Sequence, residues 1–211
     1  MIALGGKLYV SLNHLSQDFA SAGPGRIAVV DPTTNQVTSV ISLPTLKNCG
    51  EMVVVGPETL MIACGGAFSD GLQSVDFAGV ARVDARTGTS LIVAARLFGN
   101  RSVAQTSLAA RDADRFFAVT NGDFGGPATD QLWTASVLSQ TASSAATAGE
   151  SFVFGGLLFD PETSRLYVAD GSASTPQVRV FAVDAASALT PLAAIVTSPS
   201  LALPPRQIAW Y

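Results

Sequence analysis

The chain has 211 residues, a net charge of −4 at neutral pH and a sequence isoelectric point near 4.8. That acidic balance excludes nucleic-acid binding, which needs a basic face for the phosphate backbone, and 48% hydrophobic against 13% charged residues excludes a disordered chain. The mean hydropathy of +0.37 comes from short apolar runs, none near the roughly 20 residues of a spanning helix, so membrane insertion is not expected.

Met1, Ile2, Ala3, Leu4, Gly5, Gly6 and Lys7 lack the basic start and long apolar core of a signal peptide. They read as the start of an excised domain, or of a chain whose targeting segment has been removed. A strand over 7–12 follows, then Asn13 and the sole histidine, His14, which reads as a loop residue because no nucleophile motif or zinc ligand set accompanies it. Next come a strand over 27–31 ending on Asp31, a turn of Pro32, Thr33, Thr34 and Asn35, and a strand over 37–43. The order then returns. The second repeat places strands over 52–55, 60–63, 80–84 and 90–97, and the third over 106–109, 116–119, 132–136 and 142–148. The last of these is Ala-rich, and a short helix competes there, but its Ser and Thr content favours a strand. The fourth repeat gives 152–158, 166–169, 180–184 and 192–196, and a final first strand falls at 207–210.

Second strands thus start at 8, 60, 116 and 166, and third strands close at 31, 84, 136 and 184. Asp31, Asp84 and Asp184 read as corner residues whose carboxylates take backbone N–H groups of the turn. This is a single all-β domain over 1–211: a β-propeller of four four-stranded blades, with repeats 1–48, 49–101, 102–148 and 149–199. The segment 200–211 is expected to complete the first blade against 7–12, so that the termini share one blade and free sheet edges disappear.

Leu8-Tyr9-Val10, Leu166-Tyr167-Val168-Ala169-Asp170 and the run from Arg26 through Asp31-Pro32-Thr33-Thr34-Asn35 resemble the YVTN-type propeller repeat. The NHL and gluconolactonase-like propellers are looser relatives. The resemblance implies the fold and says little about function, because propellers host many activities. Family members usually carry six to eight blades. Four blades therefore leave three arrangements open: a four-bladed ring, two chains in one eight-bladed ring (a homodimer), or a piece of a longer protein.

First strands of a propeller line its channel. Aligning them places Glu51, Gln105, Glu150 and Gln207 at one level. Such a ring offers oxygen ligands to Ca²⁺ or another divalent cation, with Glu51 and Glu150 as the charged pair, and equally offers partners to water or to backbone amides. Asn13, Asn121 and Asp170 fall near the same mouth. The gluconolactonase-like resemblance implies a channel metal held by Glu, Asn and Asp, yet no pair of catalytic acids emerges. The loops carrying Phe68 and Asp70, and Asp123 and Phe124, fit a recognition face. Cys49 and Cys64 flank the Gly56-Pro57-Glu58 turn symmetrically, so they are expected nearly opposite one another. Both a disulfide and two buried thiols fit that position; the disulfide implies the periplasm, the cell surface or the exterior.

The expected function is a non-enzymatic binding or scaffold module taking a protein or glycan on its loop-bearing face. A metal-dependent hydrolase or lactonase at the channel mouth, and a structural repeat of a larger surface protein, are the alternatives.

Overall fold

The computed structural model describes residues 1–18, 21–69, 72–197 and 204–209, with the backbone alone over 67–69 and 72–74. Four antiparallel sheets follow one another along the chain. The first is β1 (Ile2–Leu4), β2 (Lys7–Leu12), β3 (Pro24–Asp31) and β4 (Gln36–Lys47). The second is β5 (Cys49–Gly56), β6 (Thr59–Ser69), β7 (Leu72–Asp84) and β8 (Ser90–Ala94). The third is β9 (Val103–Ala110), β10 (Arg115–Thr120), β11 (Gln131–Ser136) and β12 (Thr141–Thr147). In the fourth, β13 (Phe154–Asp160), β14 (Arg165–Asp170) and β15 (Gln177–Val183) are edged by β16 (Leu189–Pro191) and β17 (Ile195–Val196), which pair with different parts of β15.

Each sheet is one blade, and its sequence reflects its neighbours. Second strands are sandwiched between blades, so β6 buries Leu60, Met61, Ile62 and Ala63 completely, on both of its faces. Outermost strands face water, and β12 reads Thr-Ala-Ser-Ser-Ala-Ala-Thr. Full burial of a large aliphatic side chain contributes about 1.5–3 kcal/mol, so the second strands carry much of the fold's stability. One core joins blades 1 and 2, setting Tyr9, Ile27 and Val29 against Leu60, Ile62 and Ala81. A second joins blades 2 and 3, with Met61 and Val80 against Phe116 and Trp133, around Phe98. A third joins blades 3 and 4, with Phe117 and Leu132 against Leu166 and Phe181. Among the described residues no fourth core joins blade 4 to blade 1.

The corner aspartates act as expected. Asp31 accepts from Thr33 N and Oγ1 at 2.9 and 2.6 Å, Asp84 from Arg86 N and Thr87 N at 3.0 and 2.7 Å, and Asp184 from Ala186 N and Ala188 N at 2.8 Å each.

Five details differ from the sequence reading. The inner strand of blade 1 is β1 rather than 207–210, with Ile2 opposite Tyr9 and Leu4 opposite Lys7. Gly5 and Gly6, at φ of 55° and 74°, form the two-residue hairpin turn that folds β1 back. The segment 204–209 lies instead beside β13, where Gly156 N donates to Arg206 O at 2.7 Å. The termini therefore do not share a blade among the described residues; Trp210 lies outside them. Strand β8 stops at Ala94, and a 3₁₀ turn, Ala95–Leu97, takes over and buries Ala95. Blade 4 opens at Phe154 rather than 152, because Phe152 is left-handed at φ 59°. Its outer edge, expected over 192–196, is split into β16 and β17.

Candidate binding cleft at the channel mouth

The starts of the inner strands and the loops between second and third strands meet at one end of the blades. In blades 2, 3 and 4 the loop leaving the second strand is pinned in the same way. Gly65 N donates to Asn48 O, Asn121 N to Ser102 O and Gly171 N to Val153 O, at 2.9, 3.3 and 2.8 Å. Two adjoining clefts open here and share Gln105 and Thr106. The larger, about 680 Å³, runs from Asn48 and Gln105 past Asn121 and Phe124 to Phe152 and Arg206. The smaller, about 560 Å³, lies under Asn13 and His14 and reaches Glu51.

Blade 3 supplies most of the structure of the larger cleft. Asp130 stands just before β11 and is fully buried. Its carboxylate accepts from the backbone N–H of Gly122, Phe152, Val153 and Phe154 at 2.7, 2.8, 2.7 and 2.8 Å. One side chain thereby ties the blade 3 mouth loop to the start of blade 4 and holds Phe152 in its left-handed conformation, which costs about 1–3 kcal/mol. Arg101 donates to Thr129 O and Asn121 O at 2.9 and 2.5 Å and fixes the other side of the loop. On this frame Phe124 is 96% exposed and stands edge-on to the exposed Phe152, with ring centroids 6.3 Å apart. The sequence reading missed Asp130, Phe152 and Asn48. The signal for Asp130 is present: an acid at the end of a Gly-Gly-Pro loop, directly ahead of a strand.

The lining is amide-rich. Asn48 Oδ1 and Gln105 Oε1 are buried and accept no hydrogen bond from the described residues. An orphan buried acceptor costs about 1–3 kcal/mol, and both residues line the larger cleft.

The four residues expected at one channel level do not all reach it. Gly50 and Gln105 meet across neighbouring inner strands, since a Cβ on Gly50 would stand 2.6 Å from Gln105 O. Gly155 and Gly156 meet Arg206 and Gln207 in the same manner, with 2.4 Å from a Gly155 Cβ to Arg206 O. Registers place Cys49, Val103 and Phe154 as equivalents, opposite Cys64, Thr120 and Asp170. The blade 4 counterpart of Glu51 is therefore Gly156. Glu150 lies ahead of the strand, exposed and outside both clefts. Glu51, half-buried, has its carboxyl raised above the ordinary 4.5 by burial, partly offset by the N-terminal ammonium.

Asn13 lines the smaller cleft, and Asn121 and Asp123 the larger. Asp170 is fully buried and accepts from Arg179 Nε at 2.6 Å and from Ser172. Burial pushes its carboxyl up, but the Ser172 and Arg179 hydrogen bonds outweigh that and leave it below 3.8. His14 is exposed, at φ 55°, with Nδ1 3.2 Å from Pro24 O. The Phe68 side chain and the whole of Asp70 lie outside the described residues.

A divalent cation of the calcium type takes six to eight oxygen ligands. Among the described residues no three His, Cys, Asp or Glu converge. Asp130 and Asp170 already spend their oxygens on buried donors, and Glu150 is outside the ring. These residues do not fit a channel cation or the metal set implied by the gluconolactonase-like resemblance.

Cys49 and Cys64 form a disulfide across directly opposed positions of β5 and β6, with Cα atoms 3.9 Å apart. It lies beneath the clefts against Gly25 of blade 1, where a Cβ would stand 2.4 Å from Cys49 Sγ. A disulfide is compatible with an extracellular or periplasmic location. Among the described residues no helix is long and apolar enough to cross a membrane.

The blades, their radial packing and the cleft over the inner strands define a β-propeller architecture. Solved structures match it. The Dos1 propeller aligns with 91% of this chain and 46% of its own at 13% identity and TM-score 0.54. A hypothetical selenium-binding protein from Sulfolobus tokodaii aligns over 91% and 48% at 11% identity and TM-score 0.54. A functionally unknown protein from Desulfotomaculum acetoxidans aligns over 81% and 49% at 14% identity and TM-score 0.50. At these identities the likeness shows the fold alone, and the chain spans about half the length of the structures it matches. No family model matches the sequence, and no curated protein matches it.

Proposed function

We propose that the protein is a non-enzymatic binding module of YVTN-repeat type, working at the cell surface or in the periplasm, that takes a glycan in the mouth cleft. The observation that carries this reading is the pairing of an exposed aromatic step, Phe124 and Phe152, with the buried orphan acceptors Asn48 Oδ1 and Gln105 Oε1 in one cleft. Sugars present apolar C–H faces to aromatic rings and many hydroxyl donors to amide oxygens. The frame is set before binding, by Asp130 and Arg101, which lowers the ordering cost of association. A protein ligand reading the same aromatic step is the second form of this function. The disulfide supports the location.

The test is isothermal calorimetry against a panel of neutral oligosaccharides, with wild type, Phe124→Ala and Gln105→Ala. Binding by wild type that weakens at least tenfold in each variant is the expected result. No heat with any oligosaccharide, or binding unchanged in both variants, removes the glycan reading.

A further inference from the structure

Every inter-blade core in this protein is made from two kinds of sheet face, and the chain carries one spare of each kind. The face of blade 1 turned away from blade 2 presents Leu8, Val10 and Leu12 of β2, with Val30 of β3 and Val37 and Val40 of β4. Leu12, Val37 and Val40 are 39%, 60% and 51% exposed. The face of blade 4 turned away from blade 3 presents Leu158, Tyr167, Val178, Leu192 and Ile195, with Leu192 and Ile195 41% and 55% exposed. Elsewhere in the molecule these two kinds of face bury each other.

The inner edges agree. In blades 2, 3 and 4 the mouth ends of the second strands, Cys64, Thr120 and Asp170, pair with Cys49, Val103 and Phe154. In blade 1 strand β1 pairs only with Lys7, Leu8 and Tyr9. Among the described residues Val10, Ser11 and Leu12 therefore have no partner on their inner edge. At the opposite end of the arc, 204–209 lies beside β13 just as β9 lies beside β5, in the place of the next blade's inner strand.

We infer that two copies of this chain close head to tail into one eight-bladed ring, the blade 4 end face of each covering the blade 1 end face of the other. The segment 204–209 of each copy then runs along the open edge of Val10, Ser11 and Leu12 in its partner, a form of strand addition. Three observations support a second copy as the occupant. The two spare faces are complementary and sit on one chain. They continue the series of interfaces already formed within it. The propeller structures it matches are about twice its length, so two copies of this chain would supply as much chain as one of them. A head-to-tail contact closes when its rotation divides the circle, and here two copies suffice. The smaller mouth cleft, lined by Ser11, Leu12 and Asn13, gains its missing wall from the partner. The inference is independent of what the cleft binds.

The test is light scattering on the purified 211-residue chain by size exclusion, with Val40→Asp, Ile195→Asp and, as a control in the exposed blade 3 turn, Leu138→Asp. The expected mass is about twice 21.7 kDa. Val40→Asp and Ile195→Asp, at already exposed positions, are each expected to give a monomer with an unchanged far-ultraviolet spectrum. Leu138→Asp is expected to stay dimeric. Hydrogen exchange of the peptide spanning 8–14 is expected to be slow in the dimer and fast in the monomeric variants. A monomeric wild type overturns the inference and assigns the faces to something other than a second copy, such as further blades of a longer polypeptide. A dimer untouched by both face variants, or an open-ended ladder of masses, also overturns it.

Discussion

At the far ends of blades 1, 2 and 4, the corners after the third strands are near copies of one another; at the mouth, the loops share a backbone pin but the side chains that hold them differ from blade to blade. Asp31, Asp84 and Asp184 each fold their own turn with their own carboxylate, using donors two to four residues away. At the mouth, Asp130 reaches 22 to 24 residues onward to the start of the next blade, and Asp170 is matched by an arginine from the neighbouring strand. The far rim repeats one local device in blades 1, 2 and 4, whereas the blade 3 corner borrows Asp114 from the turn before β10, which accepts from Ser136 Oγ and Leu138 N at 2.8 and 2.7 Å. The mouth is nonlocal and individual, as a site requires, and its loss is expected to cost more.

Asp130→Ala is the largest expected effect. It leaves four backbone N–H groups without their acceptor, and at about 1–3 kcal/mol per orphan the loss exceeds about 3 kcal/mol, read as a fall in the urea midpoint. An effect no larger than that of a corner aspartate would break the comparison. Removing the disulfide with Cys49→Ser and Cys64→Ser is next. A closed loop of 15 residues corresponds to about 3 kcal/mol of chain entropy, and unfolding of wild type with and without reductant measures the same quantity.

Gly25→Ala follows. Its Cβ meets a sulfur that the disulfide prevents from moving, and overpacking of this kind costs about 1–3 kcal/mol. The loss is expected to shrink in the double-serine background, where Cys49 is no longer tethered, and a double-mutant cycle reads that coupling.

Asp170 carries a pH signature. Its folded carboxyl titrates below the ordinary 3.8, so its contribution to stability is complete above 3.8 and drains away as pH falls through the lower folded-state value. Asp170→Asn is expected to flatten that part of the profile when urea midpoints are compared between about pH 5 and pH 2. Glu51 has the opposite sign. Its raised carboxyl favours the fold while protonated, so stability declines as pH rises through its folded-state value above 4.5, and Glu51→Gln removes that decline. Asp84→Ala is the smallest change, a shift in thermal midpoint well below that of Asp130→Ala, because water replaces the carboxylate at an exposed corner.

The same contrast explains what was legible in the sequence. Period, strand order, corner turns and the Cys49–Cys64 pairing all follow from local spacing, and they are in the structure. The inner strand of blade 1 was hidden behind a Gly5-Gly6 hairpin, because three residues are too few for alternation to show. Glu150 was aligned by its type rather than its register. The registers Cys49–Cys64 and Phe154–Asp170 put the counterpart of Glu51 six residues further on, at Gly156, and such pairing across strands leaves no mark in the local sequence. Asp130 and Phe152 act on each other across a blade boundary, so neither stands out in its own window.

The staple formed by Asp130 also decides what a protease would achieve at the mouth. Phe124 and the glycines after it are exposed, but Gly122 on one side and residues 152–154 on the other are bound to the same carboxylate. A single cut after Phe124 would leave the upstream end held through Gly122 and the downstream end held through Asp130 itself. The nicked chain would keep both fragments together in the folded protein, and the nick would appear only when the chain is denatured.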